Sequence, residues 1–315
     1  MTAARRDEIV GRNKQAEAGA VTRLICAVMA VAALAACEGV GGDDGGSTTA
    51  PEPDVDIATE IANNLDAATF ASGPESLTVS ITLDAGLVDA VYDRNPDYDL
   101  PGYLAFTTQN NPLNRYFTGF ANESADGSVQ AVVVADGGQF TKFFGGATYR
   151  QTGAYSAPTE GIVSYAGKYA GLINLSTPVL PLPDTNDDIL PLRAGRVSGD
   201  VFLNASFATN RVNGAIYNRV YEDGTGVVLD TVFLVPTEIL TNGSFAGVAE
   251  NRGESGIGSY AGTFGGTNAS SVAGAIRLTG DFVPGVNNED EIGIFVLGRC
   301  GATGGSAVCD IVNDQ

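Results

Sequence analysis

The chain of 315 residues contains no histidine. That absence excludes Ser-His-Asp and Cys-His catalysis, histidine-ligated zinc and histidine-based pH switching. Lysine occurs only at Lys14, Lys142 and Lys168, which nearly removes lysine chemistry as well. Charge is scarce: charged residues make up 17% of the chain, against about 25% in an ordinary soluble domain. What charge there is lies on one side, with 37 acidic residues to 17 basic ones and a net charge of −20. Nucleic acid is thereby excluded as a partner, because phosphate binding needs a basic surface. Two things are plentiful. Hydrophobic residues reach 44%, enough for a core, and there are 41 glycines. The glycines follow no three-residue period, so a collagen helix is excluded.

The first 36 residues read as an export signal. Arg5, Arg6, Arg12, Lys14 and Arg23 precede an apolar run from Leu24 to Ala36. The run falls short of the about 20 residues that span a bilayer. It ends in Leu34-Ala35-Ala36-Cys37, which resembles the lipobox of bacterial lipoproteins. That resemblance implies cleavage before Cys37 and acylation of Cys37. The other reading is a secretory signal with a chance cysteine. Glu38 stands where aspartate favours inner-membrane retention in enteric bacteria, so outer-membrane sorting is expected. Residues 37–55, rich in Gly, Ser and Thr and closed by Pro51 and Pro53, read as a flexible tether. Without residues 1–36, five basic and three acidic groups are lost, leaving 12 basic, 34 acidic and a net charge of −22. Such a body is repelled by anionic lipid, so its membrane contact is expected through acylated Cys37.

Cys26 leaves with the signal. Cys300 and Cys309 then remain in an oxidising context, and a disulfide between them is the natural reading. The rival is a metal or redox site, but the spacing is not C-x-x-C and supporting ligands are missing.

The folded part divides at a change of pattern into 56–139 and 140–315. Residues 56–71 carry Ile57, Ile61, Ala62, Leu65 and Ala68 at helical spacing and predict one short helix. Strands are expected at Leu77–Leu83, Tyr103–Thr108, Tyr116–Ala121 and Ser128–Ala135. The acidic stretch Tyr92–Asp99 reads as a loop, and Gln139–Tyr149 as the start of the next strand series. Eight strands follow: Ile162–Leu175, Arg196–Phe207, Val212–Tyr221, Val227–Val235, Gly243–Asn251, Ile257–Phe264, Val272–Thr279 and Glu291–Arg299. Even spacing with polar turns argues for a sandwich or an up-and-down barrel. Ser176–Leu192, with Pro178, Pro181, Pro183 and Pro191, is expected to be a loop. An internal echo, Val212-Asn213-Gly214-Ala215-Ile216 against Val272-Ala273-Gly274-Ala275-Ile276, predicts glycines at barrel corners.

Three stretches carry a family resemblance. They are Ser164–Gly171 with Gly167-Tyr169-Gly171, Phe207–Arg219 with Phe207-Val212-Gly214-Ile216, and Ser259–Ile276 with Gly262-Phe264-Gly265-Ala269-Val272-Gly274. In this order they resemble the barrel domain of transferrin-binding protein B-like surface lipoproteins. The resemblance covers about residues 140–299. It implies an all-β fold, with a small antiparallel sheet (handle-like) domain followed by an eight-stranded antiparallel β-barrel. The chain has room for one such pair, as in the single-lobed relatives that bind haemoglobin–haptoglobin or complement factor H. Transferrin specificity is not implied. The matching residues are glycines and core aromatics, so no binding residue carries over.

No catalytic, cofactor or metal set emerges. Asp184-Thr185-Asn186-Asp187-Asp188 has calcium-loop spacing but lacks the sixth-position glycine and the closing glutamate. Asn287–Glu291 reads as a polar hairpin end. The expected function is non-enzymatic: an outer-membrane lipoprotein, at the cell surface or on the periplasmic face. It would bind a host or environmental protein or a small solute through loops such as Asp93–Asp99 and Ser176–Leu192. The alternative is a periplasmic structural or biogenesis lipoprotein without a ligand. A carboxylate-based hydrolase is the third reading.

Overall fold

The computed structural model describes residues 55–73, 75–159, 161–178, 190–223, 226–253, 255–281, 286–301 and 306–313. Cys37, the signal, the tether up to residue 54 and the acidic cluster 184–188 lie outside the described residues.

The expected helix over 56–71 is half the length. Helix α1 (Val55–Ala62) stops at Asn63, whose φ of 48° is a left-handed helix end. The Asn63 side chain donates to the Gly145 carbonyl at 3.0 Å. The chain then enters β1 (Leu65–Ser72), because Thr69 and Phe70 suit a strand and a partner is available. That partner is β2 (Glu75–Leu83), paired with Phe70 opposite Leu77. Next comes β3 (Gly86–Arg94), which takes up the start of the stretch read as a loop. A single 3₁₀ turn (Pro96–Tyr98) follows. Strands β4 (Leu104–Thr108), β5 (Phe117–Glu123), β6 (Val129–Asp136) and β7 (Gly145–Gln151) complete a seven-stranded antiparallel sheet in chain order.

Strand β7 corrects the expected boundary. Gln139–Tyr149 does not begin the barrel, since Ala147 of β7 pairs with Val133 of β6. The break near 139 is a hairpin turn, with Phe140 and Thr141 at φ of 56° and 60°.

The barrel starts with β8 (Ile162–Pro178) and β9 (Leu192–Ser206). It continues through β10 (Arg211–Tyr221), a short flanking β11 (Val227–Leu229), β12 (Val232–Glu238) and β13 (Ser244–Glu250). Strands β14 (Gly256–Gly265), β15 (Ser271–Gly280) and β16 (Glu289–Arg299) follow, then helix α2 (Val308–Asn313). The expected strand Val227–Val235 is thus split in two. Strand β16 pairs with β8, β8 with β9, and β9 with β10, so eight antiparallel strands close on themselves. A closed barrel has no free edge.

Both faces of the N-terminal sheet are used, and β6 is buried along its whole length. Val132 and Val134 face a core inside the curled sheet with Leu77, Val79 and Phe106. Val129, Ala131 and Val133 face the barrel wall, meeting Ala261, Ala273 and Ile294. Elsewhere the barrel wall carries polar pairs, with Ser164 donating to Asn204 at 2.8 Å and Lys168 paired to Asp200 at 2.7 Å, beside exposed apolar residues such as Ile162 and Val248. No described helix is long and apolar enough to cross a membrane.

The barrel interior is filled by aromatic rings set over glycines. Phe245 lies opposite Gly262, Tyr260 opposite Gly247, and Phe295 opposite Gly274. A Cβ at Gly274 would meet the Phe295 ring at 2.3 Å, and one at Gly262 the Phe245 ring at 2.4 Å. The echo therefore has two physical meanings. Gly214 sits beside a register shift of β10 against β12, consistent with a bend. Gly274 sits in regular pairing and is small because a ring covers it.

Candidate functional site

Strands β3 and β4 pair at only two positions, Asp93–Thr107 and Arg94–Phe106. Strand β4 ends at Thr108, and the chain turns away through Asn110 and Pro112 before β5. The opposite end of β3 keeps β2 as its neighbour but has no described strand on its other side. This divergence opens a cavity of about 450 Å³ between the β2–β3 hairpin and the β4–β5 connection. Alternation on β2 and β3 points Ile81, Val88 and Ala90 into it, and Phe117 lines it from β5. Leu113 and Phe140 stand at its mouth, 71% and 58% exposed. A bulky residue at positive φ, as Phe140 is, is a rare backbone state.

The cavity has one charged lining residue, Arg115, and its charge is matched. Its guanidinium pairs with Asp136, donates to the carbonyls of Gln139 at 2.9 Å and Lys142 at 3.0 Å, and lies 4.5 Å from the Phe144 ring centre. Asp136 also accepts from the backbone amides of Phe144 at 2.8 Å and Gly138 at 3.2 Å. Burial pushes the Asp136 carboxyl above its ordinary range, more than these donors pull it down. The amides of Gln109 and Gln139 are turned onto the carbonyls of Asn114 and Leu113. Tyr92 is different. It is 2% exposed, and its hydroxyl makes no hydrogen bond among the described residues. Burial, and then the Asp136 charge, push that hydroxyl well above its usual pKa, so it stays protonated.

Two other polar clusters serve the fold. Inside the barrel, Arg219 donates to Glu291 at 2.5 Å and to the Asp230 carbonyl at 2.8 Å, and Tyr169 donates to Glu291 at 2.7 Å. At the seam between sheet and barrel, Asp126 accepts from Ser124, Ser128, Ser270 and Ser271. Burial alone would raise the Asp126 carboxyl, but these hydrogen bonds outweigh it and hold it below the usual range.

Of the residues singled out in the sequence, Cys300 and Cys309 are brought together, joined by a disulfide with a Cα–Cα distance of 5.5 Å. Tyr98, in the expected contact loop, is instead clasped to the barrel. The Arg193 and Arg196 guanidiniums lie 4.7 Å and 5.1 Å from its ring centre. Arg193 donates to the Tyr98 hydroxyl, and Arg196 is held by Asp223 at 2.7 Å. No group of three metal-ligating side chains occurs among the described residues.

No protein-family model and no curated protein matches the chain. Among solved structures, it is similar to a transferrin-binding protein B double mutant from Haemophilus parasuis Hp5. The identity is 12% and the TM-score 0.38, over 74% of this chain and 52% of that one. It is similar to the intact two-lobed Ap-TbpB at 13% identity and a TM-score of 0.36, over 75% and 46%. The isotype 1 protein from serogroup B Neisseria meningitidis matches at 13% and 0.34, over 74% and 51%. The chain spans about half the length of these structures.

Proposed function

We propose that the protein is a lipid-anchored, non-enzymatic binding module of the bacterial outer membrane, resembling the single-lobed surface lipoproteins. Division of labour within the fold carries this reading. The barrel interior is occupied by its own rings, including Tyr165, Tyr260, Phe264 and Phe295. The N-terminal sheet, by contrast, holds an apolar opening with exposed rim residues. A filled barrel is a rigid platform, and ligand contact falls to what it presents. The lipobox at Cys37 supplies the anchor, at about 0.8 kcal/mol per buried CH₂. A chain of net charge −22 beyond the signal gains nothing from anionic lipid.

The test is protease shaving of intact cells carrying a tag after Gln315, beside the same cells with Cys37→Ser. Loss of the tag while a periplasmic marker survives places the protein outside, and Cys37→Ser abolishes membrane retention. Protection of the tag until the outer membrane is opened refutes surface capture. A protein recovered by its tag without any bound partner or small molecule would favour the periplasmic scaffold.

A further inference from the structure

We infer that the cavity between β3 and the β4–β5 connection is a binding site for a neutral, mostly apolar small molecule carrying one hydrogen-bond acceptor. This rests on the reading of the protein as a binding module and names what its sheet domain takes. The volume of about 450 Å³ falls within the roughly 300–1,000 Å³ of small-molecule sites. Its wall is built by Ile81, Leu83, Val88, Ala90 and Phe117, with Phe140 at the mouth. A charged ligand would be desolvated there with no free counter-charge, because Arg115 is held by Asp136 and by two carbonyls. A neutral ligand loses little on entry.

The acceptor is argued from Tyr92. Its side chain lines the cavity, and its hydroxyl has no hydrogen-bond partner among the described residues; that oxygen is not sealed in the core but open to the cavity, where a ligand can reach it. The phenol carries its proton at neutral pH and can donate it to an acceptor on the ligand. The opening persists because β4 ends before it can cover the remaining edge of β3. Residues of β3 that would be core in a continuous sheet, Val88 and Ala90, are only half-buried as a result.

The probe is benzophenone, which is neutral, apolar and has one carbonyl acceptor. Full-length protein in detergent is photolysed with it, and the adducts are mapped by peptide mass spectrometry. Saturable labelling is expected on peptides covering β2–β3 and residues 108–117. Tyr92→Phe keeps the shape and removes the donor, so labelling at sub-saturating probe should fall about fivefold. Ala90→Trp fills the cavity and should abolish labelling there. If Ala90→Trp lowers the melting temperature strongly, Val88→Phe replaces it. Labelling scattered over the chain, or unchanged in the filled variant, overturns the inference. Labelling lost on filling yet unmoved by Tyr92→Phe overturns the acceptor. Absent labelling in a protein that shaving places on the surface overturns the ligand class alone and leaves the binding module standing.

Discussion

Gly293 on β16 and Tyr169 on β8 share one space inside the barrel, and a substitution cycle measures it. A Cβ at 293 would stand 2.0 Å from Tyr169 Oη, 2.3 Å from Cζ and 2.5 Å from Cε2. Carbon contacts settle at about 3.5–4.0 Å. All three obstructing atoms belong to one side chain, whose hydroxyl donates to Glu291 at 2.7 Å. Gly293→Ala must therefore move the ring and break that bond. Overpacking costs about 1–3 kcal/mol, and losing a hydrogen bond to a charged group about 1.5–3 kcal/mol. The sum, about 2.5–6 kcal/mol, is a large part of a typical stability of about 5–15 kcal/mol. Tyr169→Leu removes the obstruction and the hydroxyl together, at about 3–5 kcal/mol. In the double variant the clash has gone and the hydrogen bond is already counted. Urea unfolding of the four proteins, followed by circular dichroism, should therefore show a favourable coupling of at least about 1.5 kcal/mol. Additivity within about 0.5 kcal/mol would refute the argument, because the two residues would then not compete for space.

Three further outcomes are expected. Arg219→Met strands the fully buried Glu291 carboxylate and should cost about 3–5 kcal/mol, whereas Arg219→Met with Glu291→Leu should recover most of it in a thermal melt. Replacing Cys300 and Cys309 by serine opens a ten-residue loop and should cost about 2–3 kcal/mol, with amide exchange rising first over residues 300–313. Asp126 has a folded pKa below its unfolded value of about 3.9. Its contribution is present above that value and is lost as pH falls towards the folded one. Asp126→Asn should therefore lose less stability than wild type between about pH 5 and pH 2, measured by urea midpoints.

The barrel was legible because its signal is local. Alternation along β8 puts Val163, Tyr165, Tyr169 and Ile173 inside and Ser164 and Lys168 outside, and every residue of that pattern is visible in sequence. Its glycines were legible as frequent but not as rooms for rings, since Gly274 and Phe295 lie on different strands. The N-terminal sheet was harder. Asn63 ends α1 by making a contact with Gly145, far along the chain, and no helical spacing foretells that. Strand β3 carries Asp89 and Asp93 because one of its faces is exposed, and its charged end falls in the stretch Tyr92–Asp99 that reads as a loop.

The candidate site shows why function was the least legible part. None of its residues is chemically unusual: a tyrosine, two phenylalanines, a handful of aliphatic side chains, and an arginine already spoken for. What makes a site of them is a missing pairing, the early end of β4 beside a β3 that continues. Periodicity reports which face of a strand is apolar, not whether a neighbour arrives to cover it. Tyr92 looks like core in sequence and is nearly as buried as core in structure. Only the absence of a partner for its hydroxyl separates it from Tyr165, which donates to the Ala269 carbonyl at 2.6 Å. Two tyrosines of nearly equal burial thus have different surroundings: the hydroxyl of one closes a barrel, and that of the other opens on a cavity.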